Sequence, residues 1–204
     1  MTLRDTSIEN FTESIASKSS VPGGGGASAL VASVGIALGD MVGEFTIGKK
    51  KYESVEEDIK LLMKKAQDMR LELLSCIDED ALAFEPLSRA YSIPKEQANR
   101  DEIMEKCLKD AAKVPFKILE ITCKAIDLQE DFANKGSVIM ISDAATGVAL
   151  LQGALKGAAI NVRVNTKLMK DRVYAQDLDS KVDDLLDIYL KKADKIYDYV
   201  VERL

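Results

Sequence analysis

The chain has 204 residues, 47% hydrophobic and 30% charged, which fits one globular domain over residues 1–204 and excludes a disordered chain. Its 28 basic residues against 34 acidic ones leave a net charge of −6, the reverse of the basic excess a nucleic-acid binder carries. Histidine is absent, which removes Ser–His and Cys–His nucleophile pairs and most zinc sites, so proton transfer falls to Asp, Glu, Lys, Tyr, Cys or water.

Helical spacing dominates from the start. Ile8, Phe11 and Ile15 predict a short helix over residues 3–17, and Pro22 with the glycines at 23–26 breaks it. From Ala27 the chain turns apolar and small, predicting a helix of about 20 residues and about 30 Å. Asp40 and Glu44 would be costly in lipid, so this reads as a buried helix and not a membrane span. Residues 53–91 form a long amphipathic helix that Pro86 kinks or ends, and residues 95–131 form another that Pro115 bends. A small-residue helix follows over 137–166, then a charged one over 171–204 with its stripe at Leu178, Val182, Leu185 and Ile196. Strand signals are nearly missing, with Val162-Arg163-Val164 the one weak candidate. The predicted fold is therefore all-α, an up-down bundle of five to six long helices. The start lacks the pattern of a signal peptide, and the three cysteines form no CxxC, which points to a reduced, cytoplasmic protein.

All twelve glycines fall in two windows, 23–48 and 136–157. Glycine inside a helix costs up to about 1 kcal/mol relative to alanine, so its repeated use implies close backbone approach. The two Gly/Ala-rich helices are expected to pack closely on each other or on their copies in a second subunit, with any site near their ends.

Five constellations carry possible chemistry. Gly23, Gly24, Gly25 and Gly26 offer backbone N–H groups at a helix start, or form a flexible turn. Lys49, Lys50 and Lys51 complement a helix C-terminus, or attract an acidic substrate. Ser142-Asp143 lies within an apolar run, where desolvation would push the carboxyl group toward an acid–base role unless a cation pairs with it. Asp80 and Phe84 are four apart on one helix face, suited to holding a heterocycle or breaking a core stripe. Asn161 and Asn165 are also four apart and serve as ligand contacts or caps. Asp40 and Glu44 repeat that spacing with no metal motif around them.

Taken in order, Pro22-Gly23-Gly24-Gly25, Thr46-Ile47-Gly48-Lys49-Lys50-Lys51-Tyr52, Asp80 with Ala83-Phe84, Val114-Pro115, Ile141-Ser142-Asp143 and Asn161-Val162 with Asn165 resemble the cyclodeaminase/cyclohydrolase family. That family comprises the cyclodeaminase domain of formiminotransferase–cyclodeaminase and stand-alone bacterial methenyltetrahydrofolate cyclohydrolases. The chain departs from it at Gly26, where the family often has Ser, at Ser137 and Ile139, where it often has Asn, and at Thr166, where it often has Leu.

The resemblance implies a homodimer that binds a one-carbon derivative of tetrahydrofolate. Lys49 and Lys50 would meet the acidic tail, and Asp80, Phe84, Asn161 and Asn165 the pterin. Gly23, Gly24, Gly25 and Gly26 would hold pterin or tail beside Ser142, with Asp143 as the principal acid–base residue and Asp80 as the second. The reaction would be hydrolysis of 5,10-methenyltetrahydrofolate or deamination of the 5-formimino form. No metal or redox cofactor is implied, since neither reaction changes oxidation state. The rival class is a non-enzymatic helical module that binds a partner through residues 171–204.

Overall fold

Ser7 divides the first predicted helix: its hydroxyl accepts the Asn10 N–H and caps α1 (Ile8–Ile15), and Leu3–Asp5 forms a separate 3-10 turn. A computed structural model describes residues 2–204. In chain order the other helices are α2 (Gly24–Glu44), α3 (Glu56–Ala90), α4 (Arg100–Lys135), α5 (Ile141–Thr166) and α6 (Arg172–Val201), with further 3-10 segments at Lys50–Val55 and Val138–Met140. No strand occurs among the described residues, and the weak candidate at 162–164 lies inside α5.

Helix α2 begins three residues earlier than the glycine run suggests. Gly23 is its N-cap, and Gly24, Gly25 and Gly26 form its first turn. Two of these glycines are demanded by close approach and not by bending. A Cβ on Gly24 would sit 2.7 Å from the Asn161 amide nitrogen, and one on Gly25 2.3 Å from the Asp80 carboxylate.

Both interior prolines are absorbed without ending their helices. Pro86 lies inside α3, which runs on to Ala90 past the kink or end expected there, and Pro115 lies inside α4, which continues as expected. Each still forfeits one i→i−4 hydrogen bond. Asp171 caps α6 by accepting the Tyr174 N–H at 3.1 Å.

The five long helices alternate in direction. α2 runs antiparallel to α5, with Gly24 beside Asn161, Ser28 beside Gly157 and Gly35 beside Gly147. A Cβ on Gly35 would lie 2.9 Å from the Gly147 carbonyl oxygen, and one on Gly147 2.6 Å from the Gly35 carbonyl. The expected tight packing of the two glycine-rich helices is therefore present within one chain. Gln129 of α4 fills the same crossing, and its Nε2 donates to the Gly35 carbonyl at 2.6 Å. α3 and α4 flank the pair, and α6 closes the far side through Lys192, which pairs with Asp127 and Glu130 of α4.

The core runs through all the long helices, from Ile36, Leu73 and Ile77 to Ile118, Phe132, Leu151 and Leu155. α2 and the segment Val138–Thr166 are long and apolar enough to cross a membrane by length and composition, yet 56% and 44% of their apolar windows are buried inside the bundle.

Candidate functional site

The N-terminal turn of α2 meets the last third of α5 and the second half of α3 around a cavity of about 200 Å³. Gly23, Gly24 and Gly25 form one wall, Asp80 and Phe84 a second, and Asn161 and Asn165 a third. These seven were all expected from sequence, and one end of the bundle collects them. Gly26 stands just behind the wall and donates its N–H to Asp80 Oδ2 at 3.1 Å.

Asp80 is the chemically distinctive group. Burial pushes its carboxyl group above the ordinary aspartate value, and the Gly26 N–H only partly opposes that shift. No cation pairs with it among the described residues. A carboxyl group so placed accepts and returns protons nearer neutrality than a solvated one. The glycines matter here because a side chain at position 25 would occupy the space of the carboxylate.

The asparagines spend their nitrogens on the helix itself. Asn161 Nδ2 donates to the Gly157 carbonyl at 2.7 Å, and Asn165 Nδ2 to the Asn161 carbonyl at 2.9 Å. Their amide oxygens are left as acceptors at the cavity wall.

Cysteine chemistry is absent from this site. Cys76 sits one turn before Asp80, and burial pushes its thiol up to about 12, as it does that of Cys123. All three cysteines are free thiols.

The remaining expected residues lie at the other end of the bundle. Ser142 and Asp143 open α5, and 18 residues separate Asp143 from Asn161 along one helix, about 27 Å. Ser142 is exposed and Asp143 half-exposed, so the expected desolvation of Asp143 does not occur within the chain. The apolar run around it is only half buried: Ile141, Ala144 and Ala145 pack inward, whereas Val138 and Ile139 are exposed.

Lys49 and Lys50 belong to the same remote end. Lys49 Nζ donates to Ser137 Oγ at 3.3 Å and lies 6.0 Å from the Phe45 ring centroid. Lys50 lines a shallow depression with Glu53 and Glu56.

A hydrogen-bonded clasp ties this end together. Thr46 Oγ1 accepts the Ser137 N–H at 2.8 Å, and the Tyr52 hydroxyl accepts the Val138 N–H at 3.1 Å. Burial works against the Tyr52 phenolate, yet the Val138 N–H, Ser137 and Lys51 together bring its pKa below the ordinary tyrosine value. Asp40, the other intrahelical candidate, is raised by burial and by Glu44 against the pull of Arg70. Neither Asp40 nor Glu44 reaches the cavity.

Several cavity residues escaped sequence reasoning. Tyr91 lies seven residues after Phe84, hence on nearly the same helix face, and Val164 lies between the two asparagines. The Phe84 spacing could have flagged Tyr91. Ser20 and Val21 read only as a break, and Ala111 carried no signal of its own.

The family model described as formiminotransferase-cyclodeaminase matches residues 7–184. The chain is 37% identical over 201 residues to a methenyltetrahydrofolate cyclohydrolase of Methylorubrum extorquens, covering 97% of each. It is 30% identical over 188 residues to the formimidoyltransferase-cyclodeaminase of Mus musculus, covering 90% of this chain but 35% of that protein. The crystal structure of a formiminotetrahydrofolate cyclodeaminase from Thermotoga maritima superposes with a TM-score of 0.84 at 25% identity, covering 99% of this chain and 97% of the other.

Proposed function

From the premise that this chain belongs to the formiminotransferase-cyclodeaminase family of enzymes, we propose that it is a methenyltetrahydrofolate cyclohydrolase, converting 5,10-methenyltetrahydrofolate to 10-formyltetrahydrofolate. The observation that carries this choice is the 37% identity to the Methylorubrum cyclohydrolase over 97% of both chains, against 30% for the mouse cyclodeaminase, of which the chain spans about a third, and 25% for the Thermotoga one.

The reaction adds water to the cationic methenyl carbon. The water loses one proton as it adds; the hydroxyl so formed loses the second as the formyl C=O forms and the N5–carbon bond breaks; N5 takes one proton as it departs, and one proton is released net. A buried carboxyl group without a cation partner suits these transfers, and Asp80 is that group within the chain. Its carboxylate form also stabilises a cationic ring system placed beside it, and the Phe84 ring offers a face for stacking. No transfer changes oxidation state, so the reading calls for no redox cofactor, and with a carboxyl group as acid and base it calls for no metal.

We propose a cytoplasmic homodimer, and a second copy resolves the separation between the two groups of residues. The outer face of α2 and α5 stays apolar and uncovered: Val34 is 45% exposed, Phe45 46%, Ile160 57% and Val164 56%. Gly153 sits at the midpoint of α5, and a Cβ there would meet open space, so nothing inside the chain accounts for that glycine. An antiparallel crossing of two α5 helices at Gly153 sets residue 153+n opposite 153−n. Val164 at the cavity rim then faces Ser142 of the partner subunit, and the partner subunit's Asp143 and Lys49 approach the cavity. In this reading Asp143 and the lysines act across the interface.

A paired assay on purified protein tests the function. Loss of the near-ultraviolet absorbance of 5,10-methenyltetrahydrofolate above the spontaneous rate is expected. Appearance of that band from 5-formiminotetrahydrofolate with ammonia release would make the protein a cyclodeaminase instead. Silence with both substrates would overturn the enzymatic reading.

A further inference from the structure

The two interior prolines leave their orphaned carbonyls in opposite surroundings. Pro86 has no N–H for the Leu82 carbonyl, but Pro86 and Leu82 both lie on an exposed turn, where water serves as donor. Pro115 has no N–H for the Ala111 carbonyl, and both residues are buried. Among the described residues no side chain replaces the missing donor, since the carbonyl on α4 that accepts a side chain is Ile118, from Thr122. Ala111 and Pro115 share one further property: both line the cavity that holds Asp80.

We infer that Pro115 is a binding device, which keeps the Ala111 carbonyl free to accept an N–H of the ligand's heterocycle. This rests on the folate reading and deepens it. A proline is the costliest residue a helix interior carries, and a buried carbonyl without a donor adds to that cost. A ligand donor supplies the missing partner only when the site is filled. The Asp80 carboxylate and the amide oxygens of Asn161 and Asn165 are further acceptors on that wall, and the first-turn N–H groups of Gly24 and Gly25 are donors opposite them. The acceptor side of the wall selects the donor groups of a ring edge. The reduced pterin has such an edge in its 2-amino group and its ring N–H groups. An edge alkylated at those donors would leave the Ala111 carbonyl unpaired and be rejected.

Two substitutions return the backbone N–H. Pro115→Ala restores the donor and removes ring bulk; Pro115→Val restores it and keeps most of the bulk. The probe is tetrahydrofolate, its dissociation constant measured anaerobically by titration calorimetry, with Tm recorded for each protein. Both variants are expected to keep or raise Tm and to bind tetrahydrofolate about 5–10-fold more weakly, the worth of one hydrogen bond. Pro86→Ala, which frees no carbonyl at the cavity, should raise Tm and leave the affinity unchanged.

Unchanged affinity in both Pro115 variants would overturn the inference and leave the cyclohydrolase reading intact. So would weakened binding by the alanine variant alone, which would point to lost bulk, or a fall in Tm in both, which would make the proline a requirement of the fold. Failure of the unmodified protein to bind tetrahydrofolate would overturn the folate reading and this inference with it.

Discussion

The two ends of the α2–α5 pair are built from similar material and do different things. At one end, three glycines, Asp80 and two asparagines surround a cavity, and the carboxyl group is buried without a counter-charge. At the other, Thr46, Tyr52, Lys49 and Ser137 tie the start of α5 to the end of α2 with hydrogen bonds, and Asp143 stands half-exposed. The difference teaches that an acidic residue in an apolar run is not thereby buried. Helix position decides that: Asp143 lies in a first turn at the rim, while Asp80 lies mid-helix against the backbone of another helix.

The largest expected effect sits at the cavity end. Asp80→Asn keeps the shape and removes the proton carrier, so the cyclohydrolase rate should fall about 10²–10⁴-fold in a steady-state assay while the far-ultraviolet circular dichroism spectrum stays the same. A rate within threefold of the unmodified protein would move the chemistry away from Asp80.

Next comes the dependence of one end on the other. Asp143→Asn should also lose most of the rate if, as in the proposed dimer, its carboxyl group reaches the reaction from the other subunit. Mixing and reassociating inactive Asp80→Asn and Asp143→Asn proteins should then recover roughly a quarter of the unmodified activity, since half the dimers are mixed and each carries one intact site. No recovery would place both groups in the same chain's site, and an active Asp143→Asn protein before mixing would place Asp143 outside the mechanism.

Glycine substitutions sharpen the comparison between the middle of the pair and its outer face. Gly35→Ala drives a methyl group into the Gly147 carbonyl, a backbone atom that cannot step aside, and should cost about 1–3 kcal/mol in denaturant unfolding. Gly153→Ala meets nothing within the chain and should raise the stability of an isolated subunit by up to about 1 kcal/mol, yet weaken dimerisation in sedimentation velocity. Tighter or unchanged association would remove Gly153 from the interface.

The smallest effect is on pH dependence of stability. Asp80 has a raised pKa in the folded protein, so folding favours its protonated form. The stability this group contributes is fully present below the ordinary aspartate value and is lost as pH rises through the raised one. Asp80→Asn should therefore melt higher than the unmodified protein near neutral pH, with the gap closing in acid. An equal gap at both pH values would mean that the substitution acts through packing.

The helical class, the six helices and the close packing of the two glycine-rich helices, on each other or on copies, are legible in the residues alone, because periodicity and glycine cost are local properties which tertiary contacts here reinforce. Seven of the cavity-lining residues are legible as candidates too. The start of α2 is misplaced because four glycines read as a turn, whereas Gly24 and Gly25 are helical and small for the sake of Asn161 and Asp80. Only the tertiary structure decided which candidates share a site. The spacing of residues along a chain does not say which end of the bundle they occupy relative to one another once helices alternate in direction, as the separation of about 27 Å between Asp143 and Asn161 on one helix shows. Tertiary structure also chose which proline matters. Pro86 and Pro115 break the same local rule, and only packing sets one orphaned carbonyl against solvent and the other against a buried cavity.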